Sequence, residues 1–304
     1  MNANNNLNHN YISKIILSTD LYKNLFPTIN LLNSSVLVSL SGALRIYIAS
    51  LLLLGTMNIL NCLAGGLIVY AVYTLDRALE PAEDAINRSE LKGANKKLAL
   101  FVCLITFIVG CYILNSSGLL LIALMPLVAG YLYSKGLNIG RIKLKLKGGL
   151  GVKNLVVGIT WGTFIASIAG VGLESILPVL LVFFYYGSKL FINSTIYDFK
   201  DVKGDLMAGI KTLPVSLGEK NTRRLLLTLH IGSHLLLISA IIMHLLAFEP
   251  VVVIYSLIIG LIYIFRLTKN RENETPLGKI ERLFLVDGEA ASIIYLRAAV
   301  ATLI

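Results

Sequence analysis

Two acidic stretches hold the residues of this chain best suited to chemistry. The first, Asp76-Arg-Ala-Leu-Glu80-Pro-Ala-Glu83-Asp84, follows directly on the apolar run LIVYAVYTL. The second, Asp198-Phe-Lys-Asp201-Val-Lys-Gly-Asp205, follows VFFYYGSKLFINSTIY. Asp76, Glu80 and Asp84 recur every four residues, as do Asp201 and Asp205, which puts each set on one helix face a turn apart. Like charges at that spacing repel, so a helix gains nothing from them. A bound cation removes the repulsion, and carboxylate oxygens suit Mg2+, which commonly shares its coordination sphere with substrate phosphates. The residues predict a Mg2+ cluster that grips a phosphorylated substrate.

The surrounding composition states where such ladders must sit. Hydrophobic residues make up 56% of the 304 residues and charged residues only 14%, and the mean hydropathy is +0.77. A soluble domain carries about 25% charged residues, so most soluble readings are excluded. Nine apolar segments are long enough to span or nearly span a bilayer: 35–55, 57–75, 97–114, 118–133, 153–170, 175–197, 225–246, 250–266 and 285–303. The expected fold is all-α, a polytopic membrane bundle of about nine transmembrane helices. Residues 1–34 read as a polar tail and an interfacial segment, and 35–304 as the membrane domain.

The loops after the even-numbered segments hold most of the Lys and Arg, whereas the turns 55–57, 114–118, 170–175 and 246–250 hold none. That asymmetry places the basic loops, and both acidic ladders, on the cytoplasmic side of a plasma membrane. It also accounts for the net charge of +10, so nucleic acid is not an expected partner. Segments two and six each run into an acidic ladder and then a basic loop, which suggests a pseudo-repeat that turns both acidic ends toward a central cavity. Cys62, Cys103 and Cys111 lie within spans with no metal-ligand spacing and read as packing residues. His230 and His234 share a helix face without a carboxylate in register.

The stretch YDFKDVKGDLMAGIKTLPVSLGE (197–219) resembles the second aspartate motif of the UbiA family of intramembrane prenyltransferases, through Asp201, Asp205, Gly209, Thr212, Leu213 and Pro214. YTLDRALEPAEDAINR (73–88) resembles the family's first motif, with Asp76, Glu80 and Asp84 at the ligand positions and Asn87-Arg88 after them. LYSKG…KNLVVGITWG (132–162) resembles the end of the family's fourth helix and the start of its fifth. Asp76 stands where the family usually has Asn, and Glu80 where it has Asp; both still offer oxygens to a metal. The family's Arg-Pro-Ile-Pro-type run is replaced by Ser89-Glu-Leu-Lys-Gly, which leaves the acceptor open.

The resemblance implies Mg2+-dependent transfer of a prenyl group from a prenyl diphosphate to an aromatic, quinone-type or other lipophilic acceptor within the lipid bilayer. A geranylgeranylglyceryl phosphate-type ether-lipid prenyltransferase is the alternative within the family. In that reading Asp76, Glu80, Asp84, Asp201 and Asp205 hold Mg2+, and Arg88, Arg141, Lys153 and Lys211 neutralise the pyrophosphate. Asn154, Tyr133 and Tyr197 line the acceptor or prenyl pocket. Asp198, outside the four-residue ladder, orients or deprotonates the acceptor, or else is a solvated helix-end charge. Arg45 and Lys189 lie inside spans, where a charge is costly; each either contacts substrate or is a buried structural or snorkelling charge, and Lys189 could approach the pyrophosphate or pair with an acid such as Glu289. A secondary transporter is the reading from a different class, but its acids would lie near the midplane rather than at helix ends.

Overall fold

The computed structural model describes residues 25–53, 57–79, 93–134, 137–139, 142–144, 150–207, 211–269 and 275–302. The helices are α1 (Val36–Leu52), α2 (Ile59–Ala78), α3 (Lys96–Ser116), α4 (Leu120–Ser134), α5 (Val152–Ala169), α6 (Ile176–Met207), α7 (Leu213–Ile242), α8 (Val251–Leu267), α9 (Pro276–Arg282) and α10 (Glu289–Ala301). The first turn of α8 and the link from α9 to α10 (Leu283–Asp287) are wound as π-helix. Residues 25–33 are helical and lead into α1. Six helical stretches are long and apolar enough to cross a membrane, and Leu120–Leu132 and Val251–Leu267 are shorter apolar helices. The chain is an integral membrane protein, and each of the nine expected segments is helical, although the number that spans fully is only approximate.

Two findings differ from the sequence reading. The loop after α4 carries an antiparallel hairpin, β1 (Leu137–Ile139) and β2 (Ile142–Leu144), with Asn138 opposite Lys143. Helix α7 begins twelve residues before the expected 225, with Pro214 in its first turn, where a missing N–H costs nothing. Gly218, at φ 73°, breaks this opening piece from the apolar body.

Burial follows lipid logic rather than water logic. Helix α3 exposes Phe101, Leu104, Ile105, Ile108 and Tyr112 along one face, an arrangement that hydrocarbon, not water, accommodates. The inner core gathers Ile46, Ile68, Phe164, Tyr185 and Tyr186. Trp161 stacks on Tyr73 at 5.8 Å between ring centres and meets Phe164 edge-on at 5.5 Å.

Helices α5 and α6 pack on each other along a glycine seam. A Cβ on Gly158 would lie 2.7 Å from the Gly187 carbonyl oxygen, and one on Gly162 would lie 2.8 Å from the Gly187 Cα. Only glycine allows that approach, and the close backbones align the start of α5 with the last turns of α6.

Candidate active site at the end of α6

Helix α6 contains 32 residues, about 48 Å of helix against a hydrocarbon core of roughly 30 Å. Its apolar part, 176–197, already spans that thickness, so Asp198 and the residues after it extend beyond the hydrocarbon. The first of them is buried all the same. Asp198 is 1% exposed: Lys153 at the start of α5 donates to one of its oxygens at 2.8 Å, and the Asn154 amide donates to the other at 2.8 Å. Asn154 also donates to Ser194, one turn earlier on α6, at 3.1 Å. Asp198 is therefore not a solvated helix-end charge. It is fixed at both oxygens by the seam that brings α5 onto α6.

Asp201 and Asp205 follow on the same side of α6, and both are partly buried. Lys200 approaches Asp201 at 3.9 Å. Burial first, then the negative charges of Asp198 and Asp201, push the Asp205 carboxyl up to about 6. The Lys153 ammonium opposes that rise without cancelling it. Among the described residues no three His, Cys, Asp or Glu side chains converge tightly enough to hold a metal ion by themselves. The second ladder thus offers part of a ligand set.

The first ladder is described only at its start. Asp76 is exposed near the end of α2, beside Arg77, which donates to Ser35 at 2.5 Å and lies over the Tyr73 ring. Glu80, Asp84, Arg88 and Arg141 lie outside the described residues, as does the side chain of Tyr133. Lys211 is exposed just before α7. Helix α5 packs against both α2 and α6 and so sits between the two acidic helices.

Tyr197 is placed elsewhere. Its hydroxyl donates to Asp287 in the link before α10, and its ring lies under the Arg282 guanidinium at 4.7 Å. It belongs to the cluster of Ile192, Leu226 and Tyr263 on the far side of α6 from Asp198. Deeper in the bundle Lys189 is ion-paired with Glu289, both nearly inaccessible. Arg45 donates to the Val286 carbonyl at 3.2 Å, and Tyr185, Ser256 and His234 form a buried hydrogen-bonded chain. Sequence reasoning overlooked Ser194 and Arg282. A polar residue four positions before Asp198 on the same face was the available signal for the first, but none marks the second.

The profile of the UbiA prenyltransferase family matches residues 31–286. A curated relative, the digeranylgeranylglyceryl phosphate synthase of Sulfolobus acidocaldarius, is 29% identical over 169 residues, 52% of this chain and 54% of that protein; the chain spans about half the length of that relative. Among solved structures, a UbiA homolog from Archaeoglobus fulgidus bound to GPP and Mg2+ covers 90% of this chain and 99% of its own at TM-score 0.61 and 16% identity. The apo structure of a UbiA homolog from Aeropyrum pernix K1 covers 87% of this chain and 98% of its own at TM-score 0.59 and 16% identity. These likenesses show the fold, and the profile spans most of the sequence: the chain belongs to the UbiA prenyltransferase family.

Proposed function

We propose that the protein transfers a prenyl group from a prenyl diphosphate to a lipophilic acceptor in the membrane, in a Mg2+-dependent reaction. The observation that carries this reading is the buried Asp198, held at both oxygens by Lys153 and Asn154 at the head of the partly buried Asp201/Asp205 pair. The A. fulgidus homolog of the same fold was solved with GPP and Mg2+, and the same ligand classes suit this donor set. Asp201 and Asp205 would hold Mg2+ together with Asp76, Glu80 and Asp84. When bound, the ion neutralises the leaving diphosphate.

The chain's own side chains do the remainder. Arg88, Arg141 and Lys211 are the cations assigned from the sequence to the diphosphate oxygens. Lys153 is already committed to Asp198 at 2.8 Å, so its first task is to fix that carboxylate. As the C–O bond of the allylic diphosphate breaks, the electron pair leaves with the diphosphate and the acceptor nucleophile bonds to the freed carbon. Asp198 orients the acceptor and takes the proton it releases. The packed rings of Tyr73, Trp161 and Phe164 make the α2–α5 contact apolar, and an apolar surrounding would keep water from the cation.

The acceptor is read as a lipid. The S. acidocaldarius relative is named as a digeranylgeranylglyceryl phosphate synthase, which favours an ether-lipid phosphate over an aromatic acid as the first acceptor to assay. The active-site loops are assigned to the cytoplasmic face of the plasma membrane from the Lys/Arg bias of the even loops. Pyrophosphate release from geranylgeranyl diphosphate tests the function. Release should require both Mg2+ and an acceptor lipid; release that is indifferent to Mg2+, or absent with every acceptor class, would overturn the assignment.

A further inference from the structure

One buried hydroxyl beside the acidic end of α6 contributes no hydrogen bond to the fold. Thr212, the last residue before α7, is 7% exposed. A threonine at that position ordinarily caps the helix by accepting from a backbone N–H of the first turn. Thr212 makes no such bond, and its hydroxyl has no hydrogen-bond partner of normal geometry among the described residues. A buried hydroxyl without a partner costs stability, and a valine would fill nearly the same volume without that cost.

The neighbour of this hydroxyl is Asp205. Burial and the nearby acids push the Asp205 carboxyl up to about 6, and Thr212 acts against the rise, as a donor close to a carboxylate does. Asp205 is itself partly buried, in the last turn of α6. The two groups are adjacent, yet they are not closed into a hydrogen bond.

The backbone holds Thr212 in place. Its carbonyl accepts from the Ser216 N–H at 2.9 Å, the first bond of α7. Leu213, next in the chain, packs on Gly151 just before α5: a Cβ on that glycine would lie 3.2 Å from Leu213 Cδ2. The Leu213 carbonyl also accepts from the Thr222 hydroxyl at 3.1 Å. Gly151 leads into Lys153 and Asn154, so the contact that places Thr212 belongs to the joint that fixes Asp198. With the backbone pinned, rotation about χ1 is the freedom left to the hydroxyl.

We propose that Thr212 is a positioning residue of the active site: its hydroxyl donates to the Asp205 carboxylate when that carboxylate holds Mg2+, and so fixes the orientation of the ligand. The inference rests on the Mg2+ and diphosphate reading of the end of α6. Carboxylates that bind a metal are oriented by hydrogen bonds from a second layer of residues, and loss of such a donor weakens metal affinity by about 10–100-fold. Thr212 acts through Asp205 and makes no contact of its own with the reacting atoms.

The test is Mn2+ binding to the purified full-length protein with geranyl diphosphate, read by electron paramagnetic resonance without turnover. Mn2+ takes the same oxygen ligands as Mg2+. In Thr212→Val the Mn2+ concentration for half-saturation should rise about ten-fold. Thr212→Ser, which keeps the hydroxyl, should return it close to the wild-type value. The melting temperature of the metal-free Thr212→Val protein should hold or rise, since no hydrogen bond of the fold is lost. Thr228→Val, exposed on α7, should leave Mn2+ affinity unchanged. Unchanged Mn2+ affinity in Thr212→Val, a Thr212→Ser variant as weak as Thr212→Val, or a lower metal-free melting temperature would each overturn the proposal. Equal Mn2+ binding by wild type and Thr212→Val removes this inference alone. No uptake by wild type in the presence of geranyl diphosphate removes the assignment of function and this inference with it.

Discussion

Helix α6 carries charge in two settings that differ in compensation. Half-way along it, Lys189 is buried against Glu289 of α10, with Arg45 and Asp287 bonded nearby to Val286 and Tyr197. At its end, Asp201 and Asp205 are partly buried; Lys200 reaches Asp201 at 3.9 Å, and burial with the neighbouring carboxylates raises Asp205. The inner set closes on itself: each ion finds its partner within the fold, which is what an ionisable group in hydrocarbon requires. The outer set is compensated only in part, by Lys200 beside Asp201. The difference teaches where structure ends and function begins on one helix. Charges that hold α6 in the bundle are tightly paired, whereas the carboxylates at its end are compensated only loosely, Asp201 by Lys200 at 3.9 Å.

Substitutions at the two sets should separate activity from stability. Asp201→Asn or Asp205→Asn should lower turnover by a factor on the order of a thousand or more while the melting temperature holds or rises, because a charged ligand of the transition state is lost and a repulsion is relieved. Prenyl-transfer assays beside thermal melts check this, and near-wild-type activity in either variant would end the assignment. Glu289→Gln should do the reverse. Removing one member of a buried pair leaves the other uncompensated, at a cost of about 3–5 kcal/mol. Lys189→Met/Glu289→Leu should recover most of that stability, which denaturant titration would show.

Smaller effects sharpen the same contrast. Asp76→Asn should be tolerated, since the amide oxygen still coordinates, and Glu80→Gln should reduce activity much more because it removes charge beside the metal. If Glu83→Gln is instead the damaging change, the ligand has been placed one turn-position wrongly. The smallest effect is on pH dependence. Asp205 titrates at about 6 rather than 3.8, so protons and Mg2+ compete for it. As the pH falls below about 6, the Mg2+ concentration for half-maximal activity should rise up to about ten-fold per unit. The sign for the metal-free protein is opposite: the folded state binds the proton more tightly than the unfolded one, so stability should decline as pH rises from 3.8 to about 6.

The apolar segments were legible because a membrane helix needs a long apolar run, and α1 to α8 and α10 appear where those runs are. Helix α9 was not, since seven residues reading PLGKIER carry no span signal and only the Thr275-Pro276 cap announces a helix. The second ladder was legible from spacing alone. Its setting was not: Lys153 and Asn154 are more than 40 residues from Asp198, and their meeting depends on the Gly158–Gly162–Gly187 seam, which no local pattern reveals. Tyr197 shows the same limit. Proximity in sequence suggested the substrate pocket, but a shift of one residue along a helix turns a side chain by about 100°, and the ring faces Arg282 instead.

The central claim is that the end of α6 is completed by a metal and a diphosphate rather than by the fold. Its most direct test is the thermal shift of the purified protein on adding geranyl diphosphate with Mg2+, compared between wild type, Asp205→Asn and Lys189→Met/Glu289→Leu. Wild type and the inner double variant should both be stabilised by the ligand pair, neither ligand alone should suffice, and Asp205→Asn should show almost no shift. An equal shift in Asp205→Asn, or one that is independent of Mg2+, would contradict the claim.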